Sequence, residues 1–458
     1  MSAILLVAIP LLAAFISILA KKYAPYLLMV VGLFNFIILF FLPDGFVIIG
    51  GFDQPLGINL LLDTYSRIAL LLVNALIVVI TFLNLGKYDK YASIILLAMA
   101  SLNGLVLTND LFNLFVFLEI SGIAAYLISS SNKRPLKTFH YLIIGAVGSS
   151  LFLFGVVILY SMFGTLNMVD LIQKIQAVNN YDQLILPFTL MFIGLGVETK
   201  LLPFNSWVKG VLGKSNTLSG PMIGGVYAAA FGFVLGRYIT NVFMFEGNLL
   251  LVVTVLLSLG ILIGEAMAYS STKSREILMY SSIAQASIVA LLFVNGVILW
   301  AVYYIVAAAL SKTVMFLVIN KAAKDKGSDE LNDLKGLFVD NKVVGVAYTL
   351  INLSVMGLPL LVGFVVKLNF LTELAIADQI LMIVIILIAS VVEGIYFVRM
   401  LIKFWYKDDN EISVKYNLSF KVVFVVIALA FLVFGVYKTP LSNLDNSIDT
   451  VMEVVDNG

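Results

Sequence analysis

An all-α polytopic membrane protein is the fold class this sequence predicts, on three observations. Apolar residues make up 61% of the 458 residues and charged residues 12%, with a mean hydropathy of +1.06. Soluble domains hold only roughly 45–50% apolar residues. The apolar residues gather in runs of the length a spanning helix needs, about 17–25 residues. The short connections between runs alternate in charge, as loops on opposite faces of a bilayer do.

About fourteen transmembrane helices follow, at residues 2–20, 25–43, 61–85, 91–108, 110–131, 136–163, 183–210, 216–240, 248–270, 276–295, 297–320, 343–372, 378–405 and 418–437. The first run, "MSAILLVAIPLLAAFISILAKK", has its lysines after the apolar core, so it reads as a retained span rather than a cleaved signal peptide. Between the second and third spans, "GFVIIGGFDQPLGINLLLD" sets Gly, Asp and Pro between short apolar runs and reads as an extracytoplasmic hairpin. "LNMVDLIQKIQAVNNYDQ" reads as an amphipathic helix on the outer face. "SDELNDL", in the longest hydrophilic connection, is expected to open a short surface helix capped by Ser328.

Connections after odd-numbered spans carry Lys21, Lys22, Lys87, Lys90, Lys133, Arg134, Lys137, Lys209, Lys214, Lys273, Arg275, Lys403 and Lys407. Those after even-numbered spans hold Asp44, Asp53, Asp110, Asp170, Asp182 and Glu246 against Lys174, and the tail after Lys438 is acidic. The basic side faces the cytoplasm, so both termini are predicted outside a multi-pass protein of the cell membrane.

Lys and Arg (28) nearly balance Asp and Glu (27), so no basic field recruits nucleic acid. There are no cysteines and a single histidine, His140, which excludes disulfides, thiolate iron–sulfur ligation, zinc fingers and bis-histidine haem. The sequence carries no phosphate loop, nucleophile triad or metal cluster. We therefore expect no cofactor, no metal and no catalytic centre of its own; any electrons travel on another chain.

Ionisable side chains nevertheless sit inside the apolar runs: Glu119, Glu198, Lys200, Glu265, Lys312, Lys367 and Glu393. A charge at the centre of a spanning helix costs roughly 2.5–3.5 kcal/mol on insertion scales. In "LFNLFVFLEISGIAAYLI", Glu119 is expected as a buried carboxylate paired with a cation. A single such residue is compatible with a helix-packing ion pair, but seven of both signs point to an ion path. Acids and lysines suit one because burial and neighbouring charge tune their protonation, and water bridges the gaps.

Two of the runs are interrupted. In "GLGVETKLLPFNSWV", Pro203 has no N–H to offer the carbonyl of Thr199, beside Glu198 and Lys200. In "NLSVMGLPLLVGFVVKLNF", Gly357, Pro359 and Gly363 break the helix before Lys367. Broken helices at corresponding places in two halves point to an inverted-repeat transporter with its site at the breaks.

These residues resemble the antiporter-like membrane subunits shared by respiratory complex I, membrane-bound hydrogenases and multi-subunit cation/proton antiporters. The landmarks are "FVFLEISGIAAYLI", "HYLIIGAVGSSLFLFGVVILYSMFGTLN", "LLPFNSW", "REILMYSSIAQ", "AAALSKTVMFLV" and "GLPLLVGFVVK". "HYLIIGAVGSSLFLFG" with "YSMFGTLN" looks most like the complex I subunit N type. The resemblance implies two inverted five-helix repeats, each with a broken helix, at 91–240 and 248–405. N-terminal helices and the hairpin (1–90) precede them, and a C-terminal helix with a short acidic tail (406–458) follows. It also implies functional roles for Glu119, Lys312 and Lys367.

Several positions depart from the pattern. Glu198 stands where the family usually has lysine, and Lys200 is displaced by two residues, roughly 200° around a helix, so it is expected to face a different partner. Ala229 replaces another lysine, Ala308 and Tyr304 replace histidines, and His140 takes the place of a lysine. The first half is left with three possible roles: conducting differently, binding Na+ through carboxylates, or structural. The resemblance implies H+ or Na+ translocation in a redox-driven complex with further antiporter-like subunits and a hydrophilic iron–sulfur arm. The alternatives are an antiporter complex without a redox arm and a scaffold with a degenerate channel.

Overall fold

Apolar runs become helices in the computed structural model, which describes residues 2–52, 57–178, 181–243, 245, 247–406 and 414–437. Asp53, Glu246, Lys407, Lys438 and the acidic tail lie outside the described residues. Ten helices among the described residues are long and apolar enough to cross a membrane: Thr64–Leu83, Asp89–Leu107, Leu111–Asn132, Pro135–Phe163, Ser219–Asn241, Gly247–Ser270, Ser274–Val294, Ile298–Lys326, Ile380–Trp405 and Leu418–Val436. Leu5–Leu19, Ala24–Ile38 and Lys342–Met356 are shorter apolar helices. The expected spans at 183–210 and 343–372 are not continuous helices but the two interrupted ones described below.

The chain divides into two compact units. One is built on Met1–Lys200 with Val226–Leu251, the other on Leu201–Gly225 with Val252–Asp445.

In the first unit, Pro10 inside Leu5–Leu19 cannot donate to the carbonyl of Leu6. Asn103 and Asn35 take over, donating to Leu6 O at 2.8 and 3.2 Å, while Asn74 donates to Asn103 at 3.0 Å. Three buried amides thus tie separate helices together. The predicted hairpin forms: Gly45–Ile49 pairs antiparallel with Ile58–Leu62. It leads into Thr64–Leu83, where Asp63 and Ser66 cap each other's backbone. Asp63 also pairs with Arg237 at 2.7 Å. Burial pushes the Asp63 carboxyl up, but the Arg237 guanidinium and the Ser66 hydrogen bonds outweigh it and hold the group below its usual range.

The connections after the second, fourth and sixth spans meet at one end of this unit. Asn109 N donates to Asn59 O, Leu111 N to Leu166 O, and Met168 N to Asn109 O. Asn167 caps the expected amphipathic helix, Met168–Gln176, which buries Met168, Leu171, Ile172 and Ile175. Helix Pro135–Phe163 packs closely on Ile185–Glu198, where side chains at Gly148, Gly155 or Gly194 would collide with Val197, Met191 and Phe152.

In the second unit, connections after odd-numbered spans meet at one end. Lys214 and Arg275 reach Asp329 at 3.4 and 3.8 Å, and Lys403 donates to Asn332 at 2.8 Å. "SDELNDL" lies here but forms turns rather than the expected helix. Ser328 does not cap a helix: it donates to Asp333 Oδ2 at 2.5 Å and accepts from Glu330 N at 3.2 Å. The chain on either side is held by bonds such as Ser274 N to Asp329 O, which fix an open loop.

Candidate functional site

Both interruptions fall where Pro and Gly place them. In the first, helix Ile185–Glu198 ends at Glu198, residues 199–207 are non-helical, and Lys200 takes a left-handed φ of +66°. Reckoning Lys200 around a helix therefore fails, because the helix stops before it. In the second, Lys342–Met356 ends at Gly357 with φ +85°, and Val362–Ile376 resumes after Pro359. A side chain at Gly363 would strike the Ser354 carbonyl oxygen, and Gly363 N donates to Ser354 Oγ at 3.0 Å. Glycine is required there for the two half-helices to approach.

The second unit gathers four of the predicted residues. Lys367 Nζ pairs with Glu393 Oε2 at 2.7 Å and donates to Ser390 Oγ at 3.4 Å. Its stem passes the break, since a Cβ on Gly357 would lie 3.2 Å from Lys367 Cδ. Lys312 donates to Ser281 Oγ at 2.7 Å and lies 5.5 Å from the Phe397 ring centre, a cation–π contact. Glu265, Lys312, Lys367 and Glu393 are all buried, and Glu265 lies within electrostatic range of the other three. One carboxylate oxygen of Glu265 and one of Glu393 have no hydrogen-bond partner. Two lysines and two glutamates make a formally neutral cluster with two oxygens open to a proton or water.

The first unit is arranged differently. Glu198 is buried and accepts from Tyr141 Oη at 3.2 Å, while its Oε1 has no partner. Tyr126 packs edge-on against Tyr141, ring centres 4.6 Å apart, and Tyr227 donates to the Ser121 carbonyl at 3.0 Å. Tyr227 closes a π-helical turn, Met222–Tyr227, a feature often found at functional sites. Lys200 is buried.

Glu119 departs from its prediction. It is half-buried at the chain surface rather than fully enclosed, and among the described residues it forms no ion pair. Hydropathy places it in a span but not on a face of that span. It still lies within electrostatic range of Glu198. His140 is exposed on Pro135–Phe163, beside Phe139, Leu142 and Ile143, and joins neither cluster.

Sequence reasoning missed Tyr126, Tyr141, Ser281 and Phe397. Tyr126 follows Glu119 by seven residues, two helical turns along one face, a signal that was legible. Ser281 carried none. Among the described residues no group of His, Cys, Asp or Glu could hold a metal ion.

Comparison with known proteins adds the rest. The family model described as "NADH:quinone oxidoreductase/Mrp antiporter, TM" matches residues 108–393. The chain is 27% identical over 415 residues to NADH-quinone oxidoreductase subunit N of Dehalococcoides mccartyi, covering 84% of this chain and 85% of the relative. It is 27% identical over 455 residues to NAD(P)H-quinone oxidoreductase subunit 2 of Rippkaea orientalis, covering 93% and 87%. Among solved structures, a chain of the archaeal membrane-bound sulfane sulfur reductase superposes with a TM-score of 0.91 at 26% identity, covering 99% of both chains. A chain of respiratory complex I from Thermus thermophilus shares the fold, with a TM-score of 0.82 at 20% identity over 96% of this chain and 98% of the other.

Proposed function

Because this chain belongs to the NADH:quinone oxidoreductase/Mrp antiporter transmembrane family, we propose that it is a proton- or sodium-translocating subunit of a redox-driven respiratory or hydrogenase-type membrane complex. The observation that carries this reading is the buried cluster of Lys312, Glu265, Glu393 and Lys367 at the second break.

A buried ion pair costs desolvation, and its retention makes sense where the pairing changes during turnover. A proton arriving at Glu393 neutralises the carboxylate and frees the Lys367 ammonium from its partner. Lys367 then gives up a proton toward the break, whose freed backbone groups order water. Glu265 and Lys312 relay the next charge in the same way. Glu119 biases Glu198 in the first unit, and His140 stands outside the relay.

Around this centre we propose the fuller arrangement: about fourteen spans, two inverted five-helix repeats at 91–240 and 248–405, and both termini outside. The partners are further antiporter-like membrane subunits and a hydrophilic arm with iron–sulfur centres. The named relatives are quinone oxidoreductase subunits, and the 26%-identical solved chain comes from a respiratory membrane complex, which supports the redox-driven context.

Purification of the native assembly in mild detergent tests it. We expect co-purifying subunits with iron–sulfur absorbance. A complex of membrane subunits alone would assign the chain to an antiporter without a redox arm.

A further inference from the structure

The first unit holds a buried acid that the relay above does not use. Glu198 is 5% exposed and among the described residues forms no ion pair, and its Oε1 is unpartnered. Such a group is neutral only when it holds a proton or a cation, and an uncompensated charge there is costly.

Its surroundings are phenolic. Tyr141 Oη donates to Oε2 at 3.2 Å. A Cβ on Gly145 would collide with the Tyr126 hydroxyl and lie 3.1 Å from Glu198 Oε1, so Gly145 admits that hydroxyl beside the open carboxylate oxygen. Tyr126 is 9%, Tyr141 1% and Tyr227 3% exposed. The groups facing Glu198 are Glu119 and Tyr126 on Leu111–Ser129, Tyr141 on Pro135–Phe163, and Tyr227 at the end of the π-helical turn, with Lys200 two residues along the chain.

We propose that Glu198, with the hydroxyls of Tyr126 and Tyr141, is a proton-holding site, and that Gly145 is the positioning residue that admits Tyr126 to it. The ligand is a proton carried at Oε1. Uptake forms one O–H bond there and release breaks it, and no other bond changes. Tyr141 holds Oε2 fixed, so Oε1 is the oxygen that exchanges, and Tyr126 is the hydroxyl that the missing side chain of Gly145 admits to its neighbourhood. A sodium ion needs several oxygens around it with space between them; a proton needs one open oxygen in a close-packed setting. This deepens the translocation reading, and rests on it only for where the proton goes next.

Infrared difference spectroscopy on the purified assembly containing this chain, stepped between two pH values at constant Na+, tests the site. We expect a protonated-carboxyl band that is lost in Glu198→Gln and shifted in Tyr141→Phe, Tyr126→Phe and Gly145→Ala. It should persist in Lys367→Ala even though translocation fails there, which separates this proposal from the relay. Absence of the band in the wild type, its survival in Glu198→Gln, or its indifference to both phenylalanine variants overturns the proposal. So does a carboxylate signal that answers to Na+ at fixed pH, which would make the pocket a cation site. Where Glu198→Gln fails to assemble, the two phenylalanine variants decide.

Discussion

Each of the two breaks has a buried acid near it, Glu198 at the first and Glu393 at the second, yet the acids are satisfied in different ways. At the second break Glu393 faces the Lys367 ammonium at 2.7 Å, and Gly357 lies against the lysine stem. At the first, the helix closes on Glu198 itself, and its partner is the Tyr141 phenol at 3.2 Å. An acid held by a cation keeps its charge, and removing the cation leaves that charge stranded. An acid held by phenols relies on hydrogen bonds and can lose its charge by taking a proton. The same backbone device therefore carries two kinds of ionisable centre.

The largest expected difference comes from removing the partners. Lys367→Met leaves the Glu393 carboxylate buried and unpaired, at a cost of about 3–5 kcal/mol, whereas Glu198→Gln strands no partner charge, since among the described residues Glu198 forms no ion pair and is held by the Tyr141 phenol. Thermal unfolding of the detergent-purified assembly should fall far more for Lys367→Met. Equal losses would mean that Glu198 is paired after all.

Next come the two glycines. A side chain at Gly363 meets backbone, the Ser354 carbonyl, which cannot swing away; at Gly145 it meets the end of the Tyr126 side chain, which can. Gly363→Ala should cost about 3 kcal/mol or more and Gly145→Ala nearer about 1 kcal/mol, read from the same melts. The reverse order would show that the second break is the more pliable.

Smaller still are single hydrogen bonds. Ser281→Ala removes an acceptor from the Lys312 ammonium, worth about 1.5–3 kcal/mol, and Tyr141→Phe a donor to a protonated acid, worth about 0.5–1.5 kcal/mol. A larger loss for Tyr141→Phe would place a standing charge on Glu198. Glu119→Gln should leave stability unchanged and weaken pumping only in part, since that side chain is half-buried and acts at a distance. Unchanged pumping at full assembly would make Glu119 a surface residue without influence on transport.

Much of this was legible in the sequence. Apolar run length marked the helices, and Pro203, Gly357 and Gly363 marked the interruptions. Charges inside apolar runs marked Glu265, Lys312, Lys367 and Glu393, because nothing but a partner or a function tolerates them there. Which groups meet was not legible: Lys367 and Glu393 lie on separate helices, and their pairing is decided by packing. Nor was the facing of Glu119, since a hydropathy window averages over all sides of a helix. The Lys200 register was misjudged because the helix ends at Glu198, before Lys200, so helical spacing does not apply to it. The Asn35 and Asn103 amides, and Asn74 behind Asn103, went unread because the acceptor that Asn35 and Asn103 satisfy, the Leu6 carbonyl, is freed by Pro10 on another helix.

The most direct test is ion movement in proteoliposomes holding the assembled complex, followed as pH change and as Na+ uptake, in wild type, Lys367→Ala and Lys200→Ala. The relay at the second break predicts that Lys367→Ala abolishes translocation at normal assembly while Lys200→Ala, in the first unit, lowers it less. Unimpaired translocation in Lys367→Ala would contradict the relay and leave this chain as a scaffold.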